Sequence, residues 1–249
     1  MTTDSVAVDV TDDWAVASGV QARFMRSTAP ETRALMYSAR CRQMRDLGGD
    51  CFDFLPLPGR RIAIAIADAS GKGLPAALII ANVQSSLRTA ALFAPDDPAA
   101  VVTAVNRQLQ ASSPIERYAT LFYGIFDEDA RTLHYVDAGH NSPLLIKPGG
   151  STAWLEADAP PVGFFADTVY CTRTVQLNPS DLIVAWTDGI VEAADADDEE
   201  WGVQGLLASI AACPTRQPEG IVASIFKALD EFSGEAQTDD ATILAALVG

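Results

Sequence analysis

Histidine is nearly absent, with only His134 and His140 in 249 residues. That excludes a histidine-rich metal site. Any metal this chain binds must be held mainly by oxygen, which favours Mg²⁺, Mn²⁺ or Ca²⁺. Cysteine is also scarce: Cys41, Cys51, Cys171 and Cys213 form no C-x-x-C pair, which argues against a zinc ribbon or a thioredoxin-like motif. Scattered cysteines with mostly apolar flanks suit a reducing cytoplasm, where they pack as small hydrophobes. No uninterrupted apolar run reaches the roughly 18 residues of a membrane helix. Met1–Asp13 carries four acidic groups and no basic one, unlike a secretory signal. Basic residues are few and dispersed, 17 against 33 acidic, for a net charge of −16. Such a chain repels nucleic acid and anionic membranes. The acid excess either serves solubility or binds cations, and the positions of the acids decide which.

What is present is apolar: 49% of the residues are hydrophobic, enough for one large core, and no Pro/Gly/Ser-rich linker divides the chain. Periodicity predicts a short amphipathic helix over 14–27, with Trp14, Ala17, Val20 and Phe24 on one side. Strands follow at 34–41 and 51–55, with a turn over 56–61. In Ile62–Ala67 isoleucine and alanine alternate, so both faces are expected to be buried. Helices are predicted over 75–93, with Pro75 in the first turn, and over 98–111, opened by Asp97-Pro98. A β-rich stretch covers 118–126, 132–138, 144–147, 152–155, 169–177 and 182–187. Helices at 203–212 and 218–232 and a terminal strand at 241–248 complete the order. Strands and helices do not alternate as in a doubly wound fold, so the class is α+β, packed sheets flanked by helices.

Acidic residues recur where buried strands end. "IAIAIA" runs into Asp68, "LIVAWT" into Asp188, Asp239-Asp240 precede "ATILAALV", and Gly48-Gly49 lead into Asp50, with Asp53 three residues on. One such carboxylate is ordinarily a turn residue or a helix cap. Four separate strand ends closing in aspartate point to a shared site, because clustered carboxylates repel strongly at low dielectric and divalent cations relieve the repulsion. Ser70-Gly71-Lys72-Gly73 lacks the spacing of a phosphate-binding loop, so the glycines serve a tight turn.

"GGDCFDF", "IADASGKGLPAAL", "YATLFYGIFD", "VDAGHNSPLLI", "AWTDGIVEA" and "TDDATILAALV" occur in that order. Together they resemble the SpoIIE/RsbU branch of the PPM (type 2C) metal-dependent phosphatases, over roughly residues 34–249. The resemblance implies an α-β-β-α sandwich of two mainly antiparallel sheets, with residues 1–33 as an N-terminal segment whose helix is a candidate dimer or regulator contact. It implies two divalent cations, Mn²⁺ or Mg²⁺. Asp68 would bridge them with the Ala69 carbonyl beside it, Asp50 would serve one, and Asp188 and Asp239 the other. Asp68 and Asp188 would thus act in catalysis through metal-activated water. The implied activity is hydrolysis of phosphoserine or phosphothreonine on a protein, typically a STAS-type anti-sigma factor antagonist, in the cytoplasm. A pseudophosphatase acting as a binding protein and an enzyme for another phosphoester are the alternatives. Asp53 and Asp240 are open between direct ligands and groups behind them. His140 either acts in catalysis or organises a turn, and Lys72 either meets phosphate or covers a helix start. The acidic run 195–200 is either a solvated loop or a lid. Many eukaryotic type 2C enzymes carry a histidine at the position of Ser70. Arg45 is not assigned to phosphate, and Cys51 is not needed as a nucleophile.

Overall fold

A computed structural model of the chain describes residues 10–25, 32, 34–114, 116–156, 159–234 and 237–249. In chain order the elements are α1 (Val10–Phe24), β1 (Leu35–Arg42), β2 (Asp50–Leu57), β3 (Arg61–Ala69), α2 (Leu74–Phe93) and α3 (Pro98–Ser112). Next come β4 (Ala119–Asp127), β5 (Thr132–Ala138), β6 (Leu144–Ile146), β7 (Thr152–Trp154), β8 (Arg173–Gln176) and β9 (Leu182–Trp186). The chain ends with α4 (Asp188–Val191), α5 (Gly202–Ala212), α6 (Pro218–Ser233) and β10 (Ala241–Val248). One sheet runs β1-β10-β9-β6-β7 and the other β2-β3-β4-β5-β8, with antiparallel pairing throughout. This is the expected α-β-β-α sandwich.

The alternation in β3 explains the layering. Ile64 and Ile66 pack with Phe54, Phe122 and Phe126 against Ile183, Leu244 and Ala246 of the facing sheet. Ala63, Ala65 and Ala67 point the other way, under Ile80, Val83 and Leu87 of α2 and Val101 and Val105 of α3. Small side chains on that face let the helices lie close to the strands. The outer face of the β10 sheet is covered by Ile221, Ile225, Phe226 and Leu229 of α6. By length and composition α2 could cross a membrane, but its Ala76, Ile80, Val83 and Leu87 are buried in the core. Asp97 caps α3 by accepting from the Ala100 N–H at 3.1 Å, with Pro98 in the first turn.

Three sequence expectations shift. Pro56 lies inside β2 rather than in the turn; β2 is an edge strand, so the missing N–H breaks no ladder. The strand expected over 169–177 forms only at Arg173–Gln176, because the segment around Ala159–Val162 takes the place beside Ala138 and Ala119. The one-turn helix α4 was too short to show any periodicity.

The first helix also differs from expectation. It starts at Val10 and ends at Phe24, and residues 26–27 of the expected span lie outside the described residues. Trp14 and Val20, on the apolar side offered above as a dimer or regulator contact, are 38% and 51% exposed. The residue that anchors it is polar. Buried Gln21 donates to the Gly48 carbonyl at 2.7 Å and accepts from the Gly48 N–H at 3.1 Å and from Gln43 at 3.0 Å. Replacing Gln21 by Ala would leave both backbone groups of Gly48 without that partner. The expected loss is about 1–3 kcal/mol in urea unfolding, and an unchanged midpoint would show that water replaces the amide.

Candidate functional site

The site lies where the core between the sheets ends. Residues 64, 66 and 68 of β3 share one face, so Asp68 continues the isoleucine row at its rim. Asp50, the first residue of β2, pairs directly opposite Asp68, and Thr120 of β4 pairs with Asp68 on its other side. Like charges directly opposite in a sheet are destabilising, and here both carboxylates are largely withdrawn from water. The facing sheet supplies compensation. Thr187, just after β9, and Thr242 of β10 both donate to Asp50 Oδ2, at 2.6 and 2.7 Å. The Thr242 N–H donates to Thr187 Oγ1 at 2.9 Å, which locks the two hydroxyls together.

Asp188 follows Thr187, and Asp239 and Asp240 precede β10. A side chain on Gly189 would collide with the Asp240 carbonyl, so glycine there lets the two acidic segments meet. Asp240 accepts from the Met44 N–H at 2.7 Å and the Gly49 N–H at 2.6 Å. A Cβ on Gly48 would sit 2.5 Å from Asp240 Oδ2. Asp240 therefore organises the turn that delivers Asp50. The Gly49 carbonyl accepts from the Ala69 N–H at 2.9 Å, which ties that turn to the end of β3.

The electrostatics are those of crowded acids. Burial, then Asp50, Asp188, Asp239 and Asp240, push the Asp68 carboxyl well above the usual carboxylate range. Burial also raises Asp50, with Asp240 and Asp188 adding to it and the two threonine hydroxyls opposing it. Asp188 is raised by burial and Asp239, and eased by the Gly189 N–H and Lys72. Lys72 Nζ stands 2.5 Å from Asp239 Oδ2 and donates to the Thr238 carbonyl at 2.9 Å. It covers the start of β10 as well as the loop before α2. Among the described residues no three acidic, histidine or cysteine groups are gathered tightly enough to hold a metal ion. Asp50 is turned to its threonines and Asp239 to Lys72. The donor set nevertheless fits a hard divalent cation, being carboxylates with a backbone carbonyl at Ala69 alongside.

The family described as Stage II sporulation protein E (SpoIIE) matches residues 58–248. The chain belongs to the SpoIIE family. The match begins after Asp50, whose place at the site rests on its pairing with Asp68. Phosphoserine phosphatase RsbU of Bacillus subtilis is 28% identical over 181 residues, covering 71% of this chain and 52% of that protein. The chain spans 34–52% of the length of the curated relatives it matches. The SiaA-PP2C domain of Pseudomonas aeruginosa superposes with a TM-score of 0.81 at 18% identity, over 96% of each chain. The catalytic domain of the phosphatase PstP, solved with two manganese ions, gives 0.63 at 17% identity, over 86% of this chain and 98% of that one. The fold is therefore the PP2C fold of the SpoIIE family.

Two residues left open by the SpoIIE-like motifs have clear surroundings. Asp53 is odd-numbered steps from Asp50 and faces α2, where Arg88 Nε donates to it at 2.6 Å and Gln84 at 3.3 Å. Both donors also reach the Phe24 carbonyl at the end of α1, so Asp53 anchors α1 away from the site. Cys51 lies on that same face, and burial pushes its thiol far above the ordinary value. The acidic run folds into a tight turn, with Asp195 Oδ1 accepting from the N–H groups of Asp197 and Glu199.

His140 is one of only two histidines and lies in the motif DAGHNSP. It is buried, with Nδ1 2.9 Å from Thr120 Oγ1 and its own N–H donating to Asp137 at 2.8 Å. Burial lowers the imidazole to about 4, opposed weakly by the Trp186 backbone, while Nε2 meets no well-aligned partner. It stands between Thr120, opposite Asp68, and Trp186, two residues before Asp188: a strut between the sheets rather than an acid–base group. In the folded chain this histidine stays neutral well below pH 6.5, whereas the unfolded chain binds a proton. Its contribution is thus intact above about pH 6.5 and is lost as pH falls toward 4, by up to about 3 kcal/mol. Urea unfolding of the parent and of His140→Asn between pH 7 and 4 should show the parent losing stability faster by about that amount. Parallel pH curves would refute the assignment. Separately, Asp68→Asn should stabilise the chelator-treated protein by about 1 kcal/mol through relief of the cross-strand repulsion, as read by thermal or urea unfolding.

Proposed function

We propose that the chain is a metal-dependent serine/threonine protein phosphatase, and that Asp50, Asp68, Asp188 and Asp239, with the Ala69 carbonyl, hold two divalent cations, Mn²⁺ or Mg²⁺. The observation that carries the reading is the pair of buried carboxylates directly opposite each other at the rim of the inter-sheet core, with two further aspartates raising their proton affinity. Bound there, divalent cations would supply an activated water and offset charge on the phosphoryl oxygens. Four carboxylates carry four negative charges, which two divalent cations balance, so a phosphate dianion is not expelled. Asp68 and Asp188 would contribute to catalysis as two of the carboxylates that hold the cations and so position the water they activate. Thr187 and Thr242 hold Asp50 in one orientation, and Lys72 offsets part of the charge of Asp239. Ser70 accepts from the Tyr118 N–H at 3.1 Å and offers no imidazole, and His140 is too buried to serve. Neither is placed to protonate the departing serine oxygen; that proton would fall to water held at the cation site, and slow unassisted turnover is expected because a serine alkoxide is a poor leaving group.

Similarity to a phosphoserine phosphatase, RsbU, supports a phosphoserine substrate; the phosphorylated STAS-type antagonist and the cytoplasmic setting are carried over from the motif resemblance. On this reading residues 34–249 form the phosphatase domain. The segment 1–33 is a regulatory arm whose exposed Trp14, Val16 and Val20 suit a dimer or regulator contact. A catalytically silent binding protein is the competing reading, favoured by the Lys72–Asp239 ion pair at the site. The two part on activity. Phosphate release from a phosphoserine peptide should require added Mn²⁺ or Mg²⁺ and stop with chelator. Asp68→Asn should lower the rate by about 100-fold or more in a protein that keeps its circular dichroism. Full activity in demetallated protein, or near-parental turnover of Asp68→Asn at saturating metal, would overturn the proposal.

A further inference from the structure

Next to Asp68 the loop is buttressed by the two residues that precede β4, Arg117 and Tyr118. Ser70 and Tyr118 exchange two hydrogen bonds, Ser70 N–H to the Tyr118 carbonyl at 2.8 Å and Tyr118 N–H to Ser70 Oγ at 3.1 Å. Arg117 Nη1 donates to the Ser70 carbonyl at 3.2 Å. The Tyr118 ring meets Phe164 edge-on at 5.2 Å, and Phe164 meets Phe165 edge-on at 4.7 Å. A continuous aromatic path therefore runs outward from the residue two places after Asp68. It ends in water, with Phe164 43% and Phe165 59% exposed.

This exposure is held rigidly. Val162 and Ala119 exchange both backbone hydrogen bonds at 2.9 Å, which pins the segment to the strand next to β3. Buried Asn106 of α3 accepts from the Gly163 N–H at 2.7 Å and donates to the Phe165 carbonyl at 3.0 Å, and Gln110 donates to the Gly163 carbonyl. A buried asparagine committed to the backbone of this turn keeps two phenylalanines in solvent instead of letting them fold under. Beside Phe165 lies a hollow of about 450 Å³ lined also by Pro160, Ala166, Thr168, Val169 and a single acid, Asp167. The other rim is different in kind: Glu192 feels Asp188, Glu200 and Asp239, and residues 197–200 are exposed and acidic.

We propose that the Phe164–Phe165 turn is the docking shelf for an apolar side chain next to the phosphorylated residue of the protein substrate. The inference rests on the phosphatase reading above. A segment that brings its phosphate to Asp50 and Asp68 passes close to the Ser70–Tyr118 contact, to which the rings are joined. The acidic rim repels a phosphorylated chain, whereas the aromatic rim offers preorganised rings at little entropic cost and is continuous with the catalytic loop.

Two phosphoserine peptides test this, one with leucines and one with glycines flanking the phosphoserine, with an aryl phosphate as a substrate too small to reach the shelf. The parent should favour the leucine peptide by about tenfold in kcat/KM. Phe164→Ala/Phe165→Ala should abolish that preference, each peptide rate being taken relative to the same variant's rate on the aryl phosphate. Phe165→Ala alone, at the more exposed ring, should show a partial loss if the double variant proves unstable. Equal rates on both peptides in the parent, or an undiminished preference in the variants, would overturn the shelf and leave the phosphatase reading intact. A change of oligomeric mass in the double variant would instead assign the rings to self-association and overturn it too. Inactivity of the metal-loaded parent on all three substrates would bring down the phosphatase reading itself, and the shelf with it.

Discussion

The rest of the structure is arranged around the repulsion between Asp50 and Asp68. They face each other across β2 and β3, at the open end of a core that is otherwise isoleucine, phenylalanine and leucine. At low effective dielectric such a pair opposes folding. It persists because the facing sheet directs two threonine hydroxyls at one oxygen of Asp50, and because glycines let the neighbouring segments close in without side chains.

Much of the remaining polar architecture stands behind this pair. Asp240 holds the turn before Asp50 through two backbone N–H groups, and Gln21 holds the same turn from the other side through Gly48. The N-terminal helix is thus connected to the site by hydrogen bonds and not only by apolar packing. His140 spans the gap between the strand opposite Asp68 and the strand that delivers Asp188. Each of these groups is buried, and each hydrogen-bonds to backbone or side-chain partners close to the carboxylate site. Such a network favours a single arrangement when it is satisfied throughout.

Long, strongly patterned elements were legible in the sequence. The alternation in β3 announced two buried faces, Pro75 and Asp97-Pro98 marked the starts of α2 and α3, and the last strand was read to the residue. The acids at four strand ends stood out only as a set, since one such aspartate is ordinarily a turn residue or a cap. Less legible was anything that depended on a neighbour. The strand over 169–177 shortened because the segment at 159–162 occupies its place. Helical spacing put Trp14 and Val20 on one side of the first helix but did not say where the core lies, and the anchor proved to be Gln21.

The sequence by itself determined the element order, the α+β class and the residue types of the site, because apolar period and turn chemistry act over a few neighbouring positions. Only the tertiary structure decided which acids meet. Asp53 and Asp50 are three residues apart, yet the pleat sends one to an arginine on α2 and the other to the carboxylate site. Asp50 and Thr242 lie 192 positions apart and share a hydrogen bond. Strand register and the stacking of two sheets set those partners, and neither is written in any local stretch of the chain.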